Sequence, residues 1–356
     1  MNHAGGRRLT TAMPAIPVVA ILLATLVSCT EATPDRSRRG RRGDATPPAA
    51  SPSGPPGGEI AFVRAGPRVV RYPGGNDIPE NPEVFVLRFG RRGGVEEVLN
   101  VSRDDRNLDA SPVWSPDGDV VAFVRSSLGR PPRPEVWAMR PDGSDKAVLR
   151  ECSGRCEGLG NLDWSTTGEL AFTDFDNVLH LEPTESRRGR VVVAGDRASR
   201  KTIDVQPDGW TGIQYLTWSP DGSKLAFALI GEKRGLRRWL HVFDVGTRDL
   251  SRVSGPGFNS PSWSPDGRSI AAIYNPRRSG PYAEGQIYLM GSDGTDPRPL
   301  VPCSEPCRDA RPSFSPDGDW IVFDRKGDLF VAPVDGSAEP RRITDGPSID
   351  CCARWD

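Results

Sequence analysis

A five-residue phrase, Trp-Ser-Pro-Asp-Gly, recurs along this chain and constrains its fold more than any other feature. It stands at Trp114 to Gly118 before the apolar run Val120-Val121-Ala122-Phe123, and again at Trp218 to Gly222 before Leu225-Ala226-Phe227. It returns at Trp263 to Gly267 before Ile270-Ala271-Ala272, at Phe314 to Gly318 before Ile321-Val322-Phe323, and in worn form at Trp164-Ser165-Thr166-Thr167-Gly168 before Leu170-Ala171-Phe172. Starts at 114, 164, 218, 263 and 314 lie 50, 54, 45 and 51 residues apart, a period that suits one small sheet per repeat with loops of varying length. A single continuous α/β core does not fit such a chain.

The unit has a direct physical reading. An apolar strand ends at the aromatic, and Ser-Pro-Asp-Gly then makes a tight turn: Pro presets its own φ, Asp bonds to nearby backbone, and Gly takes the left-handed conformation. The apolar Ala-Phe segment is the second strand. A third follows, as in Glu135 to Met139 or Gln286 to Met290, then a second tight turn at Asp142-Gly143, Asp293-Gly294 or Asp335-Gly336, and a fourth strand ends near Leu149, Leu300 or Ile343. Four antiparallel strands of this kind make one propeller blade. The 39 Gly and 35 Pro of the 356 residues agree with a turn-rich, helix-poor chain.

Five complete units leave both ends unexplained until they are read together. The chain finishes Cys352-Ala353-Arg354-Trp355-Asp356, a first strand cut at its turn, and the apolar part opens Glu59-Ile60-Ala61-Phe62-Val63, a second strand without its first. The expected fold is an all-β, six-bladed propeller of four-stranded blades over residues 58–356, closed by pairing of the C-terminal strand with the N-terminal strands.

These repeats resemble the six-bladed propellers of the TolB C-terminal domain, with the WD40-like Trp-Ser-Pro-Asp-Gly repeat that also occurs in the propellers of prolyl oligopeptidase-type peptidases. The resemblance covers nearly all of Gly58 to Asp356 and implies a fold more than a function. The sequence departs from TolB by lacking the separate amino-terminal domain, and from the peptidases by having no Gly-x-Ser-x-Gly nucleophile elbow.

What precedes the repeats reads as an address. Arg7 and Arg8 are followed by an apolar run from Ile16 to Val27, shorter than the ~20 residues of a spanning helix. Leu26-Val27-Ser28-Cys29 resembles a bacterial lipobox. Residues 1–28 are thus expected to be a lipoprotein signal peptide, and Cys29 the lipidated residue, carrying palmitate-type acyl chains. Residues 29–57 are Pro, Gly, Ser, Ala and Arg with nothing to drive collapse, a tether between membrane and propeller. The expected location is extracytoplasmic, anchored to the cell membrane.

Candidate site residues follow from the same frame. The segments Arg64 to Pro82, Arg125 to Pro134, Ile230 to Arg238 and Tyr274 to Gly285 read as long loops on the face opposite the tight turns, where binding is expected, with Arg68, Arg71 and Tyr72 as partner contacts. Three Asp residues, Asp109, Asp309 and Asp350, each stand five residues before the aromatic of a unit. They read as caps of backbone amides at strand entry, or as a carboxylate ring at the channel mouth. Arg64 and Arg125, each two residues after a Phe, read as an anion clamp or as partners of those carboxylates. Cys152 and Cys156, Cys303 and Cys307, and the adjacent Cys351 and Cys352 are disulfide candidates as local bridges, as an adjacent bridge at the last pair, or as a Cys351 to Cys307 cross-pairing.

Only three His, at 3, 180 and 241, and a net charge of -1 argue against a metal centre, a His-based catalytic triad and nucleic-acid binding. No catalytic residue, metal or cofactor is assigned. The reading is a non-enzymatic cell-envelope lipoprotein that binds a protein partner. The alternatives are a glycan or small-ligand receptor, or a carbohydrate-active lyase or hydrolase working through carboxylates at the channel mouth.

Overall fold

The structure is a computed structural model, and it describes residues 57–71, 77–90, 93–127, 134–151, 159–174, 179–187, 190–193, 201–203, 210–231, 237–276, 285–301, 303 and 308–356. Every regular element among them is a β-strand.

The first three strands are β1 (Glu59–Arg71), β2 (Asp77–Phe89) and β3 (Val95–Asn100). The next sheet holds β4 (Asn107–Trp114), β5 (Val121–Ser127), β6 (Pro134–Met139) and β7 (Ala147–Glu151). It is followed by β8 (Leu159–Trp164), β9 (Glu169–Asp174), β10 (Leu179–Arg187), β11 (Arg190–Val193) and β12 (Lys201–Ile203). Then come β13 (Trp210–Trp218), β14 (Lys224–Gly231), β15 (Arg237–Asp244) and β16 (Leu250–Arg252). A further sheet is β17 (Phe258–Trp263), β18 (Ser269–Tyr274), β19 (Gln286–Gly291) and β20 (Arg298–Pro299). The last complete unit is β21 (Asp309–Phe314), β22 (Trp320–Arg325), β23 (Asp328–Pro333) and β24 (Arg341–Arg342), and β25 (Ile349–Trp355) ends the chain.

Five of these sheets are four-stranded antiparallel blades. One of the five is composite, with the order β25-β1-β2-β3: β25 pairs with β1 through Ile60 opposite Trp355 and Arg64 opposite Asp350. The unit from β8 to β12 departs from the expected four strands. Its third strand, β10, is nine residues long and carries two short outer strands, β12 against Leu179 to Leu181 and β11 against Thr184 to Arg187. One long strand offers two separate lengths of edge, so two short segments fill the place that one fills elsewhere.

The repeated turn is built as its residues require. In the first copy Gly118 N–H donates to the Ser115 carbonyl, Ser115 Oγ donates to Asp117 Oδ1 at 2.6 Å, and Val120 N–H returns to Ser115 Oγ at 3.0 Å. The same set recurs at Ser219 with Asp221, Ser264 with Asp266 and Ser315 with Asp317. In the worn copy Thr167 Oγ1 takes the place of the Asp, 2.8 Å from Ser165 Oγ. Gly118, Gly222, Gly267 and Gly318 have φ near +70°, the backbone region an L side chain avoids.

The core lies between sheets. Phe62, Phe123, Phe172, Phe227 and Phe323, at one position of the second strand, are all fully buried. Between the last two complete units, Ala271, Ile273 and Ile287 meet Phe314, Ile321 and Phe323. The first strands β4, β8, β13, β17, β21 and β25 pack each against the next, and β25 packs against both β21 and β4. Each carries a break in register just before its aromatic. At that bulge Ser111, Tyr215, Ser260, Arg311 and Cys352, all three residues before the aromatic, adopt positive φ of 47° to 62°.

The segment Arg64 to Pro82 is not the long loop its Pro and Gly content predicts. β1 and β2 each run 13 residues, and beyond bulges at Gly66 they continue to pair as a hairpin, Val69 opposite Pro79 and Arg71 opposite Asp77. A two-stranded arm satisfies its own backbone groups even where the residue types are poor strand formers.

Candidate functional site

The residues singled out at the strand entries meet in pairs. On β4 and β5, Asp109 lies opposite Arg125, on β21 and β22 Asp309 lies opposite Arg325, and on β25 and β1 Asp350 lies opposite Arg64. Each pair is a two-pronged fork. Arg125 Nε and Nη2 reach the two Asp109 oxygens at 2.8 and 2.7 Å, Arg325 reaches Asp309 at 2.6 and 2.9 Å, and Arg64 reaches Asp350 at 2.7 Å twice. The three carboxylates are fully buried, so they need such partners. These Asp were expected to cap backbone amides; instead each accepts from a guanidinium, and Asp109 from the Ser102 side chain as well.

Each guanidinium also lies over two rings. Arg64 is 5.4 and 5.2 Å from the centroids of Phe62 and Phe85, Arg125 is 5.3 and 4.8 Å from Phe123 and Trp137, and Arg325 is 5.0 and 5.3 Å from Phe323 and Phe330. The two rings in each set face one another across the second and third strands. An aromatic platform under a desolvated guanidinium adds a cation–π attraction to the ion pair. Sequence reasoning missed two parts: Arg325, which follows Phe323 at the spacing of Arg64 and Arg125, and the third-strand ring, whose signal was an aromatic in the third strand of every unit that has the Asp and Arg.

On β8 and β9 the same rung sets Leu159 opposite Asp174, and on two blades it carries no charge. Ile213 lies opposite Leu229, and Phe258 lies opposite Tyr274 with ring centroids 4.7 Å apart. The rung is therefore charged on three consecutive blades, β21–β24, β25–β3 and β4–β7, and apolar on the next-but-one pair.

The electrostatics follow from burial. Desolvation pushes the carboxyls of Asp109 and Asp309 above the usual range despite their Arg partners. Its hydrogen bond to Asp350 raises the Arg64 guanidinium. Arg125 makes a further contact, 3.0 Å to Asp104, and is also raised, the carboxylates outweighing the burial that opposes its charge. With every Arg fork closed on its own Asp, these groups form neither an open carboxylate ring nor an open anion clamp.

Arg68 is exposed on the β1–β2 arm, and Arg71 is the last residue of β1. Tyr72 lies outside the described residues, as do Cys29, Cys152, Cys156 and Cys307. Cys351 and Cys352 are not bonded to each other: their Sγ atoms are 3.1 Å apart, well beyond the ~2.05 Å of a disulfide, and Cys352 keeps its thiol. Burial pushes that thiol up to about 11. The left-handed turn of the backbone at Cys352 sets the two side chains close without joining them. Among the described residues no group of three or more His, Cys, Asp or Glu is placed to hold a metal ion.

A cleft of about 830 Å³ opens on the tight-turn side, between the blades of β13–β16 and β17–β20. Its walls include Asp221, Asp244, Asp266 and Asp293 with Lys224 and Arg252. Those four Asp each hold a turn: Asp244 accepts from Gly246 and Thr247, and Asp293 from Thr295. The cleft lies on the tight-turn face, opposite the face where binding was expected.

Comparison with known proteins places this geometry. The structure of TolB from Acinetobacter baumannii superposes with a TM-score of 0.59 at 20% identity, over 84% of this chain and 66% of that one. A TolB-type protein from Agrobacterium tumefaciens superposes with a TM-score of 0.54 at 16% identity, over 85% of this chain and 99% of that one. The fold is a TolB-like β-propeller. In sequence, the uncharacterized protein Atu1656 of Agrobacterium fabrum is 26% identical over 282 residues, 75% of this chain and 80% of that protein. No protein-family model matches the chain.

Proposed function

We propose that this chain is a lipid-anchored protein of the bacterial cell envelope whose propeller, closed as six blades, is a docking platform for a protein partner. Six sheets, the β25–β1 pairing and the contacts of β25 with both β21 and β4 support the closed ring. The signal-like run ending at Cys29 supports the anchor, and the likeness to TolB structures supports an envelope setting.

One observation carries the docking role. The repeated polar residues are already engaged: the turn Asp hold their turns and the entry Asp hold their Arg. The feature that outgrows the repeat is the β1–β2 arm, which presents Arg68 to solvent. An Arg-bearing extension on a rigid scaffold is the kind of element that anchors an interface.

The test is cross-linking and capture from intact cells. The wild type should bring down one dominant envelope protein, and the triple change Arg68→Ala, Arg71→Ala, Tyr72→Ala should lose it with the melting temperature unchanged. Asp142→Ala and Asp293→Ala should keep capture. Capture that survives the triple change, or that is lost only with the turn variants, overturns the arm as the docking element. Separately, Cys29→Ala should move the protein from the membrane to the soluble extracytoplasmic fraction, and persistent membrane association overturns the anchor.

A further inference from the structure

The cleft between the blades of β13–β16 and β17–β20 is lined by charges that do not cancel. Asp221, Asp244, Asp249, Asp266 and Asp293 stand against two cations, Lys224 and Arg252. The hydroxyls of Ser219, Ser264 and Thr295 hold Asp221, Asp266 and Asp293 below the usual carboxylate range, and the Thr247 N–H does the same for Asp244, so these four are ionised at neutral pH. The entry carboxylates each close on an Arg, but among the described residues none of these five makes an ion pair, with Lys224 and Arg252 or with any other cation. Asp266 and Asp293 use only Oδ1 in their turns. The exposed Asp249 side chain accepts no hydrogen bond among the described residues.

The rest of the wall is largely apolar and includes Trp263 with Pro220 and Pro265. Trp263 is more than nine-tenths buried, and its Nε1 has no partner, where Trp114 Nε1 donates to the Arg354 carbonyl at 3.0 Å. An unpaired donor, unpaired carboxylates and an apolar wall together complement a peptide with cationic side chains. Arg suits it best, with an apolar stem for the wall and a planar fork for the carboxylates.

The chain itself holds a segment of that chemistry. Arg36, Arg38, Arg39, Arg41 and Arg42 are five guanidiniums within seven residues. The propeller is entered on the cleft's own face: Gly58 lies against Trp355 and Asp356, at the end of β25 where the other units make their tight turn, and Asp356 lies beside Gly118 of the next such turn. Gly43 to Gly57 are 15 residues, which span up to about 50 Å when extended. A compact domain of about 300 residues has a radius of gyration of about 19 Å, so the segment has the length to cross the face.

We propose that Arg36 to Arg42 dock in this cleft, with guanidiniums on Asp249, Asp266 and Asp293 and their stems along its apolar wall. The contact lies within one chain, so a high effective concentration makes up for the modest strength of each exposed pair. It needs neither a lipid on Cys29 nor a protein partner. On the proposed anchor it sets the tight-turn face toward the membrane and the β1–β2 arm away from it.

The test is tryptic cleavage after Arg36 to Arg42, followed by mass spectrometry on the full chain in neutral detergent at low salt. The wild type should be cut there about tenfold more slowly than the triple variant Asp249→Asn, Asp266→Asn, Asp293→Asn, the order expected for three exposed charge contacts. Asn keeps the Oδ1 acceptor that the turns at Asp266 and Asp293 use. A second measurement leaves the cleft intact and serves if that variant does not fold. A fluorescent peptide of residues 35–44 should bind the full chain carrying Arg36→Ser, Arg38→Ser, Arg39→Ser, Arg41→Ser and Arg42→Ser about tenfold more tightly than it binds the wild type, whose own segment competes for the cleft. Equal cleavage of wild type and triple variant, equal peptide binding by the two chains, or protection that appears only when phosphatidylglycerol vesicles are added overturns the proposal, the last by giving the Arg segment to the membrane.

Discussion

Asp309 and Arg325 show how one pair of residues is both required and replaceable. The carboxylate is fully buried and accepts from Arg325 Nε and Nη2 at 2.6 and 2.9 Å. Asp309→Ala strands a guanidinium that keeps its aromatic platform but loses its counter-charge, and unfolding by denaturant should show a loss of about 3 kcal/mol. The double change Asp309→Ile, Arg325→Leu reproduces the Ile213–Leu229 rung found two blades away, and should recover most of that loss. A double variant as unstable as the single one would mean that the pair does more than satisfy itself. The turn carboxylates behave differently with pH. Hydrogen bonds from Ser219 Oγ and Ser223 N–H hold Asp221 below the usual carboxylate range, and Asp142 and Asp266 are lowered in the same way. A lowered folded value means stability that is present above the unfolded pKa and lost as pH falls through the folded one. Asp109 and Asp309 are raised, so any share they contribute is lost as pH rises and they do not drive unfolding in acid. The melting-temperature gap between wild type and Asp221→Asn should therefore narrow as pH drops from neutrality through the carboxylate range. A gap that widens would contradict the assignment of Asp221 as an ionised turn anchor.

At the scale of the element, two glycines in the same kind of turn separate two effects. Gly294 has φ +88°, and a Cβ there would lie 1.8 Å from the Val253 carbonyl oxygen of the preceding blade; Gly336 has φ +73° and open space around it. Gly336→Ala should cost only the left-handed backbone penalty, about 1–2 kcal/mol. Gly294→Ala must also push the blades of β13–β16 and β17–β20 apart, so it should cost clearly more and speed amide exchange in β16 and β20. Equal losses would show that the blade contact yields freely. These turns were legible beforehand because Asp-Gly and Ser-Pro-Asp-Gly specify their own backbone shape with short-range bonds. The β1–β2 arm was not legible, since Pro67, Pro79 and Pro82 argue against strand on local propensity and only pairing across the hairpin overrides it. The doubled outer strand on β10 was hidden for the same reason. The candidate site was half legible: the spacing of Asp109 and Arg125 put both at one end of a hairpin, but their meeting depends on the bulge between Ala110 and Val113, which no residue type announces.

For the whole molecule, the junction of the two chain ends is the place where local and global stability meet. Trp355 stacks on Phe89 with centroids 5.5 Å apart and joins Ile60, Phe62 and Val331 in one apolar cluster, while Asp356 accepts from Glu59 N–H at 2.7 Å and returns its own N–H to the Glu59 carbonyl. On the proposed closed ring these contacts lock a sheet whose strands are separated by nearly the full length of the repeats, so their loss is felt beyond one blade. Trp355→Ala removes a large buried ring and should cost about 3–5 kcal/mol. In a ring that unfolds as one unit that loss should appear as a single, lowered melting transition, with amide exchange accelerated alike in β4–β7 and β21–β24, which flank the junction. An open arrangement would instead confine faster exchange to β1, β2 and β25 and leave the main transition near its original temperature. Local fraying after Trp355→Ala would thus count against closure even though β25 and β1 pair, because pairing joins two strands and only cooperative loss shows that the ring depends on them.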